Sequence, residues 1–249
     1  MMNRIFSLLV IMSLVFIACN NQKKEIGNIN SSDNITKKNL SQEKAWVSLF
    51  DGTSTDQWRG YLADSIYKEW TIDEGILTFT PGDKSGKNII SKQKFTNFIL
   101  SLEWKISEKG NSGIFWGVYE DNQFPEAYQT GPEIQVFGHG KSLDSDDIKE
   151  THKAGSIFGM MACDPDLINP AGEWNICILK IDHENNIGSV SMNGKEAFTF
   201  PVHGEKWDAM VENPKFKEWE GFGQYQTGHI GLQDHSDKVW YRNIKIKEL

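Results

Sequence analysis

The sequence predicts an all-β protein: a two-sheet antiparallel sandwich, best described as a jelly roll. Three observations predict it. Short apolar runs of period two recur between turn residues from residue 46 to the C-terminus. No stretch carries sustained helical periodicity, and no internal repeat marks a solenoid or propeller. Asn193-Gly194, set between two such runs, is the strongest short hairpin signal a sequence can carry.

Residues 1–18 stand outside that fold. Arg4 supplies a positive charge, residues 5–17 are nearly all apolar, and the small residue Ala18 precedes Cys19. This is a secretory leader whose apolar core is short for a membrane span. A small residue directly before Cys resembles the bacterial lipobox, which implies lipidation at Cys19. The expectation is an exported lipoprotein of the cell envelope, periplasmic or on the outer-membrane surface, touching the membrane through its lipid only. Ordinary cleavage to a soluble protein is the alternative. Residues 19–43 are rich in Asn, Lys, Ser and Gln with only isolated Ile and Leu, so they read as a flexible tether. Residues 44–249 then form one domain, long enough for one core.

The net charge of −8 argues against nucleic acid as a partner, and no run of basic residues overturns that. Nine Trp and fourteen Phe exceed what a core of this size needs, and the excess suits stacking on sugar rings. Cys163 and Cys177 could pair in an oxidising compartment or remain as two buried thiols.

Residues 46–52 form a short strand ending in an Asp-Gly turn, and Trp58-Arg59-Gly60-Tyr61 reads as loop. Residues 70–79 alternate about Asp73-Glu74-Gly75 as a hairpin, and residues 88–91 make another short strand. The clearest strand is 97–107, with Phe98, Leu100, Leu102, Trp104 and Ile106 on one face. After a turn at residues 109–113 comes strand 114–119, apolar on both faces: Ile114, Trp116 and Val118 one way, Phe115, Gly117 and Tyr119 the other. Gly131-Pro132 then turns the chain into Glu133-Ile134-Gln135-Val136. Period two there sets a carboxylate beside a carboxamide, opposite two core residues. Residues 138–154 are a long polar loop, of a length more often functional than filler. Strands follow at 173–182, 188–192 and 195–200; residues 206–220 are loop with at most a short helix; and residues 229–247 close the chain as a hairpin. In its last strand Val239 and Tyr241 differ in parity from Ile244 and Ile246, which a bulge near Asn243 would reconcile.

Several segments occur in an order that resembles a known family. They are Phe50-Asp51-Gly52 with Trp58, Gly110-Asn111-Ser112-Gly113-Ile114-Phe115, Gly131-Pro132-Glu133-Ile134-Gln135-Val136, and Gly172-Glu173-Trp174-Asn175. Met192-Asn193-Gly194, Gly228-His229-Ile230-Gly231-Leu232-Gln233-Asp234-His235 and Tyr241-Arg242-Asn243-Ile244 complete the set. Together they are similar to the bacterial 3-keto-disaccharide (3-keto-glycoside) hydrolase domain. The resemblance implies a concanavalin-A-like jelly roll, of the lectin and glucanase type, acting on glycosides already oxidised to a ketone at C3. The family commonly has Arg where this chain has Trp116-Gly117, and Asp where it has Gly138-His139.

A 3-ketone acidifies the hydrogen on C2, so the aglycone can leave by elimination once a base removes that proton. Such a site needs a base, a donor or cation at the ketone oxygen and an acid for the leaving group. The candidate catalytic residues are Glu133, His152 and Lys153: a carboxylate base, a side chain that titrates near neutrality, and a cation for the enolate. The candidate substrate contacts are Gln135, Arg59, Trp116, His139, Gln233 and His235. Solvation of an outer face is the competing reading for Glu133 and Gln135, and exposed loop charge for the loop residues. No cofactor is read directly. A divalent cation is the one candidate, assembled from residues distant in sequence or held by Asp144, Asp146 and Asp147. The partner expected is an oxidised glycoside or another carbohydrate. A non-catalytic carbohydrate-binding lipoprotein is the competing function, since this fold hosts lectins as readily as hydrolases.

Overall fold

The computed structural model describes residues 44–138, 148–212 and 214–249. The leader, Cys19 and the tether lie outside the described residues, as do His139, Asp144, Asp146 and Asp147. In chain order the strands are β1 (Val47–Phe50), β2 (Trp58–Gly60), β3 (Trp70–Asp73), β4 (Ile76–Phe79), β5 (Ile89–Phe95), β6 (Phe98–Ile106), β7 (Asn111–Val118) and β8 (Glu133–Phe137). Then come β9 (Asn175–Asp182), β10 (Ile187–Met192), β11 (Lys195–Phe200), helix α1 (Glu205–Val211), β12 (Gly228–Leu232) and β13 (Val239–Glu248).

The strands form two antiparallel sheets, as the patterning predicts. The larger runs β11-β10-β9-β6-β13-β4-β3, with β1 also paired to β13, and the smaller runs β2-β5-β12-β7-β8. Leu100, Leu102, Trp104 and Ile106 of β6 and Leu179 and Ile181 of β9 face inward from the larger sheet. They meet Ile114 and Trp116 of β7, Ile134 and Val136 of β8, and Ile230 and Leu232 of β12. Among the described residues this core begins at Leu49, so it closes without the leader or tether.

The irregular positions decide which side chains face the site. At Asn243 the backbone is left-handed (φ 52°) and the β13–β6 register shifts between Arg242 and Lys245. That bulge returns Ile244 and Ile246 to the face of Val239 and Tyr241, as their parities require. A second bulge reverses an expectation. Gly117 has φ 62°, and a Cβ there would lie 2.8 Å from the Tyr225 carbonyl oxygen. The extra residue turns Val118 away from Ile114 and Trp116 to join Phe115 on the outer face. Trp58 and its neighbours are strand rather than loop, because β2 pairs with β5 and the Trp58 indole N–H donates to the Leu49 carbonyl at 2.8 Å. The turn expected at residues 109–113 lies earlier, so Asn111 and Ser112 are already in β7, opposite Phe137 and Val136. Cys163 and Cys177 are both free and buried, and burial pushes their thiols up to about 11 and about 12.

Candidate active site

The outer face of the smaller sheet carries a cleft of about 670 Å³ at its β7–β8 edge. Its floor comes from alternate positions on neighbouring strands. Glu133 and Gln135 project from β8, Asn111 and Gly113 from β7, and Gln233 from just beyond β12. Glu133 lies directly over Gly113, where an added Cβ would sit 2.1 Å from Glu133 Oε1, so glycine there is what admits the carboxyl group. Glu133 and Gln135 are 8% and 3% exposed, which sets aside the solvated-face reading for both.

Burial pushes the Glu133 carboxyl up to about 8, against a weaker opposing pull from the Lys215 ammonium. Lys215 feels the reverse: burial lowers its pKa while Glu133 raises it. The lysine sits in the short 3-10 turn Pro214–Phe216, and its Nζ lies 3.4 Å from the Phe158 ring centroid. A base and a cation therefore share the cleft. Gln135 Nε2 donates to Asn111 Oδ1 at 2.7 Å, which fixes the carboxamide. Gln233 is 6% exposed, and its Oε1 is buried with no hydrogen-bond partner among the described residues.

A second carboxyl group closes the other end. Glu126 precedes the 3-10 turn Ala127–Gln129, and its Oε2 accepts from Asn88 Nδ2 at 2.9 Å. Burial, and then the Asp234 carboxylate, hold Glu126 above its ordinary range. Asp234 itself is committed to structure, accepting the backbone N–H of Lys87 and of Ser236 at 2.9 and 2.7 Å. The wall opposite is aromatic. Phe216 and Phe222 stack at 4.0 Å between centroids, Trp219 packs on both, and Tyr128 meets Trp219 at 5.0 Å.

The structure brings together four of the residues expected from sequence: Glu133, Gln135, Gln233 and, exposed at the rim, His235. His152 stands one layer back, stacked on cleft-lining Phe158 at 4.4 Å; burial and then the Lys215 and Lys149 cations lower its pKa. It braces the wall rather than lining it. Three expectations need correction. Lys153 pairs with Glu150 at 2.5 Å and does not line the cleft. Arg59 sits on β2, at the far edge of the same sheet, and both its terminal nitrogens bind Glu120 at 2.6 Å. Trp116 points inward, is buried in the core and packs on Phe200 at 6.0 Å, leaving no ring face for a sugar.

No described residue of the long loop 138–154 lines the cleft; the segment that follows it does. Ile157 bridges Ile134, Phe158 donates its N–H to the Glu133 carbonyl at 2.9 Å, and Gly155 donates to that of Gln135 at 2.8 Å. This segment thus runs along the free edge of β8 and carries Phe158 over the floor. Lys215, Glu126 and the aromatic wall were not expected. The spacing of Phe216, Trp219 and Phe222, three residues apart, is the signal that could have found the wall. Among the described residues no three His, Cys, Asp or Glu side chains gather in metal-ligating geometry.

The sheet that carries the floor and the turns that carry the wall fall within a stretch that matches known proteins. Residues 45–247 match the family described as the 3-keto-alpha-glucoside-1,2-lyase-like domain. The chain belongs to that family. A 3-keto-disaccharide hydrolase of Bacteroides thetaiotaomicron is 30% identical over 229 residues, covering 82% of this chain and 78% of the relative. A proposed glycosyl hydrolase from Parabacteroides distasonis, known as a crystal structure, superposes with a TM-score of 0.74 at 26% identity, covering 82% of this chain and 94% of that one. A second from the same organism gives 0.60 at 25%, covering 78% and 100%. Family membership makes this chain a hydrolase-like enzyme.

Proposed function

We propose that this carbohydrate-active enzyme cleaves 3-keto-glycosides by removing the C2 proton and eliminating the aglycone. The observation that carries the reading is the Glu133 carboxyl at the cleft floor, pushed up to about 8 beside the Lys215 cation. A base with a pKa near the working pH combines availability with strength, and a carboxylate at 8 is a far stronger base than one at 4.5. A 3-ketone lets a single base at C2 begin the cleavage, which leaves the second carboxyl group, Glu126, to serve as acid for the leaving oxygen.

Glu133 takes the proton from C2, the electron pair of that C–H bond forms a C2–C3 double bond, and the carbonyl π pair moves onto the C3 oxygen as an enolate. The Lys215 ammonium stabilises that oxygen in a partly dry cleft. The enolate then re-forms the ketone, the C1–C2 double bond forms, and the C1–oxygen bond breaks. Glu126, whose pKa burial and then Asp234 raise, gives its proton to the departing aglycone oxygen. Water adds at C1 and a proton returns to C2, so the net change is hydrolysis. Gln135 and the unpartnered Gln233 Oε1 suit sugar hydroxyls, and Trp219 with Tyr128 suits the apolar face of a ring. Export as a lipoprotein anchored at Cys19 is part of the same proposal, and its support is the residue pattern of the leader.

The test offers the enzyme a 3-keto-glucoside and its unoxidised parent and follows aglycone release. Release from the keto form alone, abolished in Glu133→Gln, is the expected result. Tight binding without turnover would overturn it in favour of a lectin.

A further inference from the structure

The cations of this acidic chain are dispersed in sequence, yet strand register gathers several of them on the outer face of the larger sheet. Trp240 of β13 stands opposite Lys105 of β6, and Lys245 stands opposite Ser101 three pairs further along. Lys105 Nζ lies 4.7 Å from the Trp240 ring and 5.0 Å from that of Trp174. Arg242 stacks on the other side of the pattern, 4.0 Å from Trp174, and Lys238 reaches Trp240 at 5.3 Å. Lys245 and Lys247 flank Trp46 at 5.1 and 5.8 Å. Two acidic groups on this face are engaged, Glu103 by Arg242 and Asn243 at 2.7 Å each and Asp182 by Lys180 at 3.2 Å, while Asp51 lines the depression and Asp73 and Glu196 lie on the outlying strands β3 and β11. Trp46 and Ile176 are 42% and 43% exposed and border a shallow depression of about 410 Å³ that Lys245 also lines.

We propose that this face docks on a bilayer surface bearing anionic phospholipid headgroups. Alternating Trp and Lys is the chemistry of a membrane interface: amphipathic rings sit at headgroup depth while ammonium groups meet phosphate. The overall charge of −8 opposes an anionic surface, so attraction has to come from this face, where Lys105, Lys238, Lys245 and Lys247 lie against tryptophan rings. The covalent path favours it too. Trp46 borders this face and Lys44 pairs with Glu248 at its edge, so the described chain begins at this sheet. The cleft lies on the outer face of the other sheet, so docking here turns it away from the lipid and toward incoming substrate.

The test uses the chain from Asn20 onward, which retains the whole core but neither leader nor Cys19, in co-sedimentation with vesicles. Binding to phosphatidylcholine–phosphatidylglycerol vesicles, lost on raising salt and absent with phosphatidylcholine alone, is expected. Lys105→Gln and Lys245→Gln should each weaken it roughly fivefold, about 1 kcal/mol per cation, while turnover in the cleft stays unchanged and reports that the variants are folded. Equal binding to neutral vesicles, or full binding by the double variant, would overturn the proposal. So would retention on an acidic polysaccharide with no vesicle binding at all, which would make the face a polysaccharide site.

Discussion

Replacing Glu133 by Gln should make the enzyme both inactive and more stable. In the unfolded chain this carboxyl titrates at its ordinary 4.5; in the cleft burial pushes it to about 8. Between those values the folded state holds a proton that the unfolded state has released, so stability falls as pH rises through the interval and levels above about 8. At pH 7 the interval traversed from 4.5, taken at about 1.36 kcal/mol per unit, gives roughly 3 kcal/mol of destabilisation. Gln keeps the shape and carries no such cost. In a domain of this size about 3 kcal/mol corresponds to a Tm higher by roughly 6–12 °C. Aglycone release should fall about 10²–10⁴-fold, the usual worth of a general base. Urea denaturation of both proteins from pH 4 to 9 reads the effect: the curves should coincide near pH 4 and diverge as pH rises. Parallel curves, or wild-type stability that climbs from pH 5 to 8, would refute the burial argument. Retained turnover would refute the catalytic one.

Other outcomes follow from the same geometry. Lys215→Met should lower kcat/KM about 10²-fold. Because the lysine cation pulls the Glu133 pKa down, its loss should also move the acid limb of the pH–rate profile to higher pH, which a profile of both enzymes would show. In the wild type that limb should rise through about 8, and activity should fall again at a pH below the ordinary lysine value of 10.5 as Lys215 deprotonates. Arg59→Met should leave kcat/KM within about twofold but cost about 1–3 kcal/mol in denaturation, since Glu120 loses its partner far from the cleft. Trp116→Ala should cost about 3–5 kcal/mol by opening a cavity between the sheets, again with no change of KM in what remains folded. Trp219→Ala should raise KM by up to about tenfold, measured on a disaccharide substrate, with kcat less affected.

Period two was enough to read most strands and to place Glu133 and Gln135 on one face. It could not say which face of which sheet was concave, and burial rather than alternation identifies that face as a floor. Parity failed where glycine or asparagine bulges a strand: the Asn243 bulge is readable from mismatched hydrophobics, but the one at Gly117 leaves no mismatch because both faces of β7 are apolar. Trp116 was misplaced for the same reason. Arg59 carried the right chemistry for sugar, yet its partner Glu120 lies sixty-one residues on, a pairing no local pattern shows. Lys215 and Glu126 sit on short turns with no periodicity, so only the closure of the fold brings them to the floor. The cationic face escaped for a related reason, since its charges alternate with core residues and never form a run.

The measurement that tests the central claim most directly is cleavage of a 3-keto-glucoside in deuterated water. Proton abstraction at C2 followed by elimination and hydration predicts one solvent deuterium at C2 of the released sugar. It should appear faster than exchange of the free keto-sugar without enzyme and vanish with aglycone release in Glu133→Gln. Release of the aglycone at full rate with the original hydrogen kept at C2 would contradict it.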